Sequence, residues 1–224
     1  MAIFIYFRFM QSHELSLEFK ARYYTLGELN SSTKSIWIVL HGYGQLAAYF
    51  IKKFDALSNS NIYLIAPEAL ARFYVDPLQS TGRASDRVGA SWMTKENRLV
   101  DIENYISYLN ALYQHLDLPP TIPLTVFGFS QGAATISRWI ADGKIKLNRM
   151  ILWSGMFPPD MDFVSAKEIL KGKEIVFVYG KEDPFLGDSH NTMETIWTKL
   201  EIHPQVIAFE GGHEIPEEIL KKLL

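Results

Sequence analysis

Six short, unbroken apolar runs punctuate the chain: IWIVL at 36–40, IYLIA at 62–66, LTVFGF at 124–129, MILW at 150–153, IVFVYG at 175–180 and QVIAF at 205–209. A strand with one wet face alternates apolar and polar residues, so runs without interruption suit strands covered on both faces. Strict alternation occurs at 14–25, HELSLEFKARYY, where Leu15, Leu17, Phe19 and Ala21 share one side. That stretch predicts a half-buried antiparallel or edge strand. Between the runs the apolar period lengthens, most clearly over 95–116, where Leu99, Ile102, Ile106, Leu109, Tyr113 and Leu116 recur at three- and four-residue spacing and predict an amphipathic helix. Residues 45–58, 131–141, 189–200 and the tail from Pro216 complete the helical set. Strand alternating with helix predicts an α/β fold with a mostly parallel central sheet and helices on both faces. Residues 67–91, rich in Pro, Gly, Ser and Arg, predict a long irregular loop facing substrate.

Size and charge narrow the class. A chain of 224 residues, 48% hydrophobic, suits a single domain over 1–224. A formal charge of −3 supplies no basic field for nucleic acid, and the absence of cysteine excludes disulfides, thiolate metal sites and a cysteine nucleophile. The opening MAIFIYFRFM is short, broken by Arg8 and without a small-residue cleavage site, so residues 1–9 read as an extra strand or a start-site extension ahead of Met10. No integral membrane segment is expected, and the expected location is cytoplasmic. A homodimer is left open.

Chemistry concentrates in loops that follow strands. Gly128-Phe129-Ser130-Gln131-Gly132 lies between an apolar strand and an amphipathic helix, the context in which a sharp turn lifts a serine hydroxyl above a sheet. Serine needs a base, and His213, in FEGGHEIP after the run at 205–209, is the candidate. The base needs an orienting acid. Asp183 in YGKEDP is preferred, with Glu182 as its immediate rival. Ser130, Asp183 and His213 occur in that order, each after a predicted strand, where crossover topology gathers strand ends. The loop in IWIVLHGYGQLAAYF can aim a peptide N–H at an oxyanion, so the backbone N–H groups of Tyr43 and Gln131 are the expected donors, with His41 bracing the loop. The same loop also matches a G-x-G-x-x-A dinucleotide fingerprint, with Glu68 as a ribose ligand, which keeps an NAD(P)-binding oxidoreductase as the rival reading. A catalytically silent hydrolase-fold binding protein is a third reading. His213-Glu214 lacks a second histidine at helical spacing, so no metal site is expected.

In LHGYGQ, SWM (Ser91–Met93), GFSQGA, YGKEDP and GGHEIPEE the chain resembles the carboxylesterase, phospholipase and acyl-protein thioesterase family of α/β-hydrolases over roughly residues 36–224. The resemblance implies an α/β-hydrolase fold with no separate cap domain, a triad of Ser130, Asp183 and His213, oxyanion residues Tyr43 and Gln131, and no cofactor. The activity to expect is hydrolysis of carboxylic esters or thioesters of small to medium acyl groups. Family members often carry an acidic residue after the second glycine of the HGYGQL loop, a departure that leaves substrate choice open. Phe73, Tyr74, Trp92, Met93, Met156, Phe157 and Phe185 are the candidate walls of a substrate groove.

Overall fold

The computed structural model describes residues 10–57, 60–75, 87–186 and 190–224. In chain order the elements are β1 (Tyr23–Leu26), β2 (Ser35–Leu40), α1 (Ala47–Phe50, continued by a 3₁₀ turn over Ile51–Leu57), β3 (Ile62–Pro67), β4 (Ala71–Tyr74), β5 (Val88–Ser91) and α2 (Arg98–Leu116). They continue with β6 (Leu124–Phe129), α3 (Gln131–Ala141), β7 (Arg149–Trp153), α4 (Phe163–Leu170), β8 (Glu174–Gly180), α5 (His190–Leu200), β9 (Gln205–Phe209) and α6 (Glu217–Leu220). The central sheet runs β1-β3-β2-β6-β7-β8-β9. Every neighbouring pair in it is parallel except β1 with β3. No separate cap covers it among the described residues.

Each apolar run divides its side chains between two cores, which explains the lack of polar interruption. Ile36, Ile38 and Leu40 of β2, Val126 of β6, Met150 and Leu152 of β7 and Phe177 of β8 face the core that α2 to α5 cover. Their neighbours Trp37, Val39, Phe127, Ile151, Trp153 and Val176 face the opposite core, closed by α1 and α6. A strand buried on both sides has no position at which a polar residue could keep its hydration.

Four elements differ from the pattern read along the chain. The alternating stretch 14–25 is a strand only over Tyr23–Leu26. Tyr23 pairs with Pro67, where β3 ends, so earlier residues have no strand to pair with, and Leu15, Leu17 and Phe19 are exposed. The stretch 67–91 is not wholly irregular: β4 and β5 form an antiparallel hairpin that makes its own two-stranded sheet. Residues 76–86 of it, like residues 1–9, lie outside the described residues. Helix α4 was not expected, although Asp162 caps it by accepting from the Val164 and Ser165 amides at 3.0 and 3.1 Å. Finally, Leu99 is exposed; the buried face of α2 is carried by Tyr105, Leu109 and Leu112, with Asn110 among them.

Asn110 is buried because it is used. Trp139 of α3, fully buried, donates its indole N–H to Asn110 Oδ1 at 2.9 Å, while Asn110 Nδ2 donates to Asp142 at the α3 C-terminus at 2.8 Å. A Trp139→Phe variant loses packing volume and strands the Asn110 carbonyl, and should lower the unfolding free energy by about 2–4 kcal/mol in urea denaturation. A loss within experimental error would remove this pair from the account of how α3 is anchored.

Candidate active site

Ser130 occupies the turn from β6 into α3 with φ 54° and ψ −118°, a conformation a non-glycine residue holds only when its surroundings impose it. The surroundings are specific. The Ser130 amide donates to the Trp153 carbonyl at the end of β7 at 2.9 Å, and its carbonyl accepts from Ala133 N at 2.9 Å. Packing beneath is tighter than a side chain would permit: a Cβ on Gly132 would sit 2.4 Å from the Leu40 carbonyl oxygen and 2.8 Å from that of His41. The second glycine of G-F-S-Q-G is therefore the point where α3 rests on the end of β2.

His213 follows β9 and Asp183 follows β8. The two meet through Nδ1 and Oδ2 at 2.7 Å, with the Asp183 side chain fully buried. The other Asp183 oxygen accepts from the Phe185 amide at 3.0 Å. Glu182, the rival acid, is exposed. The imidazole contacts two rings, Phe129 at 4.8 Å and Phe185 at 4.7 Å between centroids. Trp153 donates its indole N–H to the Glu214 carbonyl at 2.7 Å, pinning the loop just past His213. Phe129, one of these two rings, immediately precedes Ser130 in the chain. No hydrogen bond joins Ser130 to His213 among the described contacts. Serine–base hydrogen bonds are often loose without substrate and tighten on binding.

The Gly42–Leu46 loop closes the other side. A Cβ on Gly42 would lie 3.0 Å from the Phe129 ring and 3.2 Å from the Ser130 Cβ, so this loop abuts the serine turn. Gln45 accepts the Gly42 amide at 2.9 Å, and the Tyr43 amide has no backbone acceptor among the described residues. Gln131, at the first helical position, has an amide free of intrahelical bonding by geometry. Its side chain is engaged: Oε1 accepts from Trp92 N at 3.0 Å, and Nε2 donates to the Met93 carbonyl at 2.8 Å. This clamp gives the Ser91–Met93 segment a structural role, orienting the first residue of α3, that residue types alone did not disclose.

His41 braces the loop, as expected. Its Nε2 accepts from Ala69 N at 3.1 Å, so the ring is neutral with its proton on Nδ1, which donates to the Gly42 carbonyl at 2.7 Å. Burial pushes its pKa down to about 4, against the weaker opposing pull of the Gly42 carbonyl and Glu68. Glu68 is itself buried, paired with Arg22 Nε at 2.6 Å and accepting the Ala47 amide at 3.3 Å. As the ribose ligand of a dinucleotide site it would have to abandon both. The fingerprint loop is pressed against Ser130 rather than open for a pyrophosphate, and the α-helix after it spans only Ala47–Phe50.

The seven candidate wall residues separate. Phe185 and Tyr74 are exposed, and Phe73 stacks on the exposed Tyr43 ring with centroids 5.1 Å apart. Met93 and Met156 are partly buried against the core. Trp92 and Phe157 belong to the core itself. Trp92 donates its indole N–H to the His41 carbonyl at 2.9 Å and packs on the His41 and Tyr105 rings, and Phe157 packs with Phe177 and Trp197, so neither is free to wall a groove. Among the described residues no cluster of three His, Cys, Asp or Glu could hold a metal ion, and no helix is long and apolar enough to cross a membrane.

A family model described as Serine hydrolase (FSH1) matches residues 31–222, which takes in the serine turn, the acid loop and the histidine loop. The chain belongs to the FSH1 serine hydrolase family. Solved structures similar to this FSH1-family chain include acyl-protein thioesterase 2 from Zea mays, 18% identical, with 91% of this chain and 96% of that one covered and a TM-score of 0.67. A phospholipase/carboxylesterase from Dyadobacter fermentans is 17% identical, with 91% and 94% covered and a TM-score of 0.63. Esterase PE8 is 22% identical, with 92% and 100% covered and a TM-score of 0.60. At these identities the likeness establishes the α/β-hydrolase fold of the FSH1-family chain. No curated protein matches it in sequence.

Two outcomes test this geometry. Gly132→Ala places a methyl group against two carbonyl oxygens of the β2 terminus and should abolish soluble folded protein or cost more than about 3 kcal/mol in denaturant unfolding. For His41 the folded pKa lies below the unfolded one, so its contribution to stability is complete above about pH 6.5 and declines as the pH falls towards 4, by about 3 kcal/mol in all. The drop in Tm between pH 7 and pH 4.5 should therefore be several degrees smaller in His41→Gln than in the wild type; equal drops would mean that His41 is not the group being titrated.

Proposed function

We propose that this serine hydrolase cleaves carboxylic esters or thioesters of small to medium acyl groups through an acyl-enzyme, with Ser130 as nucleophile, His213 as base and Asp183 as its orienting acid. The observation that carries the reading is the 2.7 Å contact between His213 Nδ1 and the buried Asp183 carboxylate. It fixes the imidazole with Nε2 unprotonated and available to take the Ser130 proton. Ser130 then attacks the acyl carbonyl. The oxygen that becomes negative is met by the Tyr43 and Gln131 amides, one from the loop after β2 and one from the start of α3, which need no rearrangement to receive it. The tetrahedral adduct collapses as His213 returns the proton to the leaving alcohol or thiol. Water, deprotonated by His213, repeats the sequence on the acyl-enzyme and releases the acid. Asp183 stays ionised throughout and stabilises the imidazolium.

The exposed aromatics Tyr43 and Phe185, with half-buried Phe73 stacked on Tyr43, support an acyl group lying over an open apolar rim rather than in a closed tunnel. Hydrolysis of p-nitrophenyl esters of increasing chain length, beside acyl thioesters, tests the proposal. Ser130→Ala should lose at least about a thousandfold in kcat with the fold retained, and Asp183→Asn about ten-thousandfold, because the amide favours the wrong imidazole tautomer. Turnover that survives in folded Ser130→Ala would assign the reaction to another group.

A further inference from the structure

Trp153, the last residue of β7, is hydrogen-bonded to both halves of the candidate site, once through its backbone and once through its ring. Its carbonyl accepts the Ser130 amide at 2.9 Å, and its indole N–H donates to the carbonyl of Glu214, the residue after His213, at 2.7 Å. It stands in register with Phe129, the residue before Ser130, whose ring lies 4.8 Å from the imidazole. The Trp153 side chain is fully buried, packed against Phe127 and against Phe209 at the end of β9, with ring centroids 5.7 and 6.0 Å apart. Enclosed in a close-packed core, the indole presents its N–H as a fixed point.

The histidine loop needs such a point. Gly211 and Gly212 lead into His213, and Gly211 adopts φ 147°, in the region that favours glycine, the residue with least resistance to backbone rotation. Towards the acid the loop is fastened. Lys181 N donates to the Phe209 carbonyl and Glu182 N to the Gly211 carbonyl, both at 2.9 Å, and a Cβ on Gly180 would stand 2.3 Å from the Gly211 and Gly212 oxygens. These contacts tie His213 to the loop of Asp183 but leave the distance of that pair from Ser130 unset. The described hydrogen bonds join the two sides through Trp153. At the serine end a Cβ on Gly155 would lie 2.5 Å from the Ser130 carbonyl oxygen, so the backbone after Trp153 is pressed against the serine turn.

Resting on the esterase reading above, we propose that Trp153 is a positioning residue for the reaction, its indole N–H setting the reach of His213 to the Ser130 hydroxyl. It acts through the histidine loop and on no reacting atom. Without that donor the Glu214 carbonyl loses its partner, the loop turns more freely on its glycines, and His213 spends less time within reach of the serine. The chemical step weakens, whereas ester binding, which other residues carry, does not. A slack loop also releases the ring from the Nδ1–H tautomer that Asp183 selects, since the partner of one ring nitrogen decides which of the two carries the proton.

Two replacements remove the donor. Trp153→Phe is the simpler; benzothienylalanine at position 153 keeps the ring volume and carries sulfur in place of the N–H, so it retains the packing of the core. Trp139→Phe is the control, because it strips an indole donor from another fully buried tryptophan, in the core on the opposite face of the sheet. With p-nitrophenyl esters, both position-153 variants should lose about 10- to 100-fold in kcat with KM within about twofold of wild type, and Trp139→Phe should keep kcat within about twofold. An unchanged kcat in the benzothienylalanine variant, a loss carried by KM alone, or an equal loss in Trp139→Phe overturns the assignment. A second readout needs no substrate. The ring-nitrogen NMR shifts of His213 at alkaline pH report its tautomer, expected as Nδ1–H in wild type and Trp139→Phe and as a mixture in both position-153 variants. A pure Nδ1–H form in every protein, or a mixture already in the wild type, overturns the positioning role. Should the wild type turn over no ester, the esterase reading fails by itself, and the tautomer measurement alone decides whether Trp153 holds His213 in place.

Discussion

Helix α3 is seated on the end of β2 at a separation that excludes any side chain at position 132, and the rest of the candidate site depends on that contact. Because α3 begins there, Ser130 must complete the turn out of β6 in a left-handed conformation, and its amide is held by the β7 carbonyl next door. The β2 carbonyls involved, those of Leu40 and His41, open the loop whose next residues face the serine. One steric constraint thus sets the pose of the hydroxyl and the distance between the two peptide N–H groups proposed to share the oxyanion. Geometry of this kind comes from backbone packing, which no rotamer change can relax.

A second network keeps the loop from shifting sideways. His41 is neutral and saturated with backbone bonds, Trp92 locks the His41 carbonyl, and Gln131 ties α3 to the backbone of residues 92 and 93. Glu68, a buried carboxylate, is tolerable only because Arg22 and the Ala47 amide meet it. None of these groups reacts in the proposed mechanism. They supply the stiffness that lets a loop of small residues present an amide at a fixed place.

Most of the sheet was readable along the chain because doubly covered strands write themselves as unbroken apolar runs; all six runs are strands, at nearly the expected bounds. The loops of Ser130, Asp183 and His213 were readable as short loops after strands, and the structure brings Asp183 and His213 together; their catalytic roles are part of the proposal. Other features depended on partners distant in sequence. Alternation at 14–22 had no strand to pair with, since β3 stops at Pro67. The hairpin inside 67–91 is a local pairing of two four-residue strands, too short to show a clear period in sequence. Trp92 and Phe157 had the residue types of groove walls, yet hydrogen bonding and packing drew them inward. Helix α4 had a detectable cue in Asp162 ahead of an apolar residue, but only eight residues over which to repeat it.

The β4–β5 hairpin pairs with itself and not with the central sheet, touching the site through the Ala90 backbone and the Phe73 ring against Tyr43. Mutations at its exposed β4 positions Ala71 and Tyr74 can therefore accumulate without disturbing strand register or either core. Its attachment lies on the other strand, at the Ala90 backbone and the bare Gly89, and constrains those two positions alone. A lineage carrying this fold has in that hairpin a place to explore new specificities while selection keeps the reaction itself unchanged.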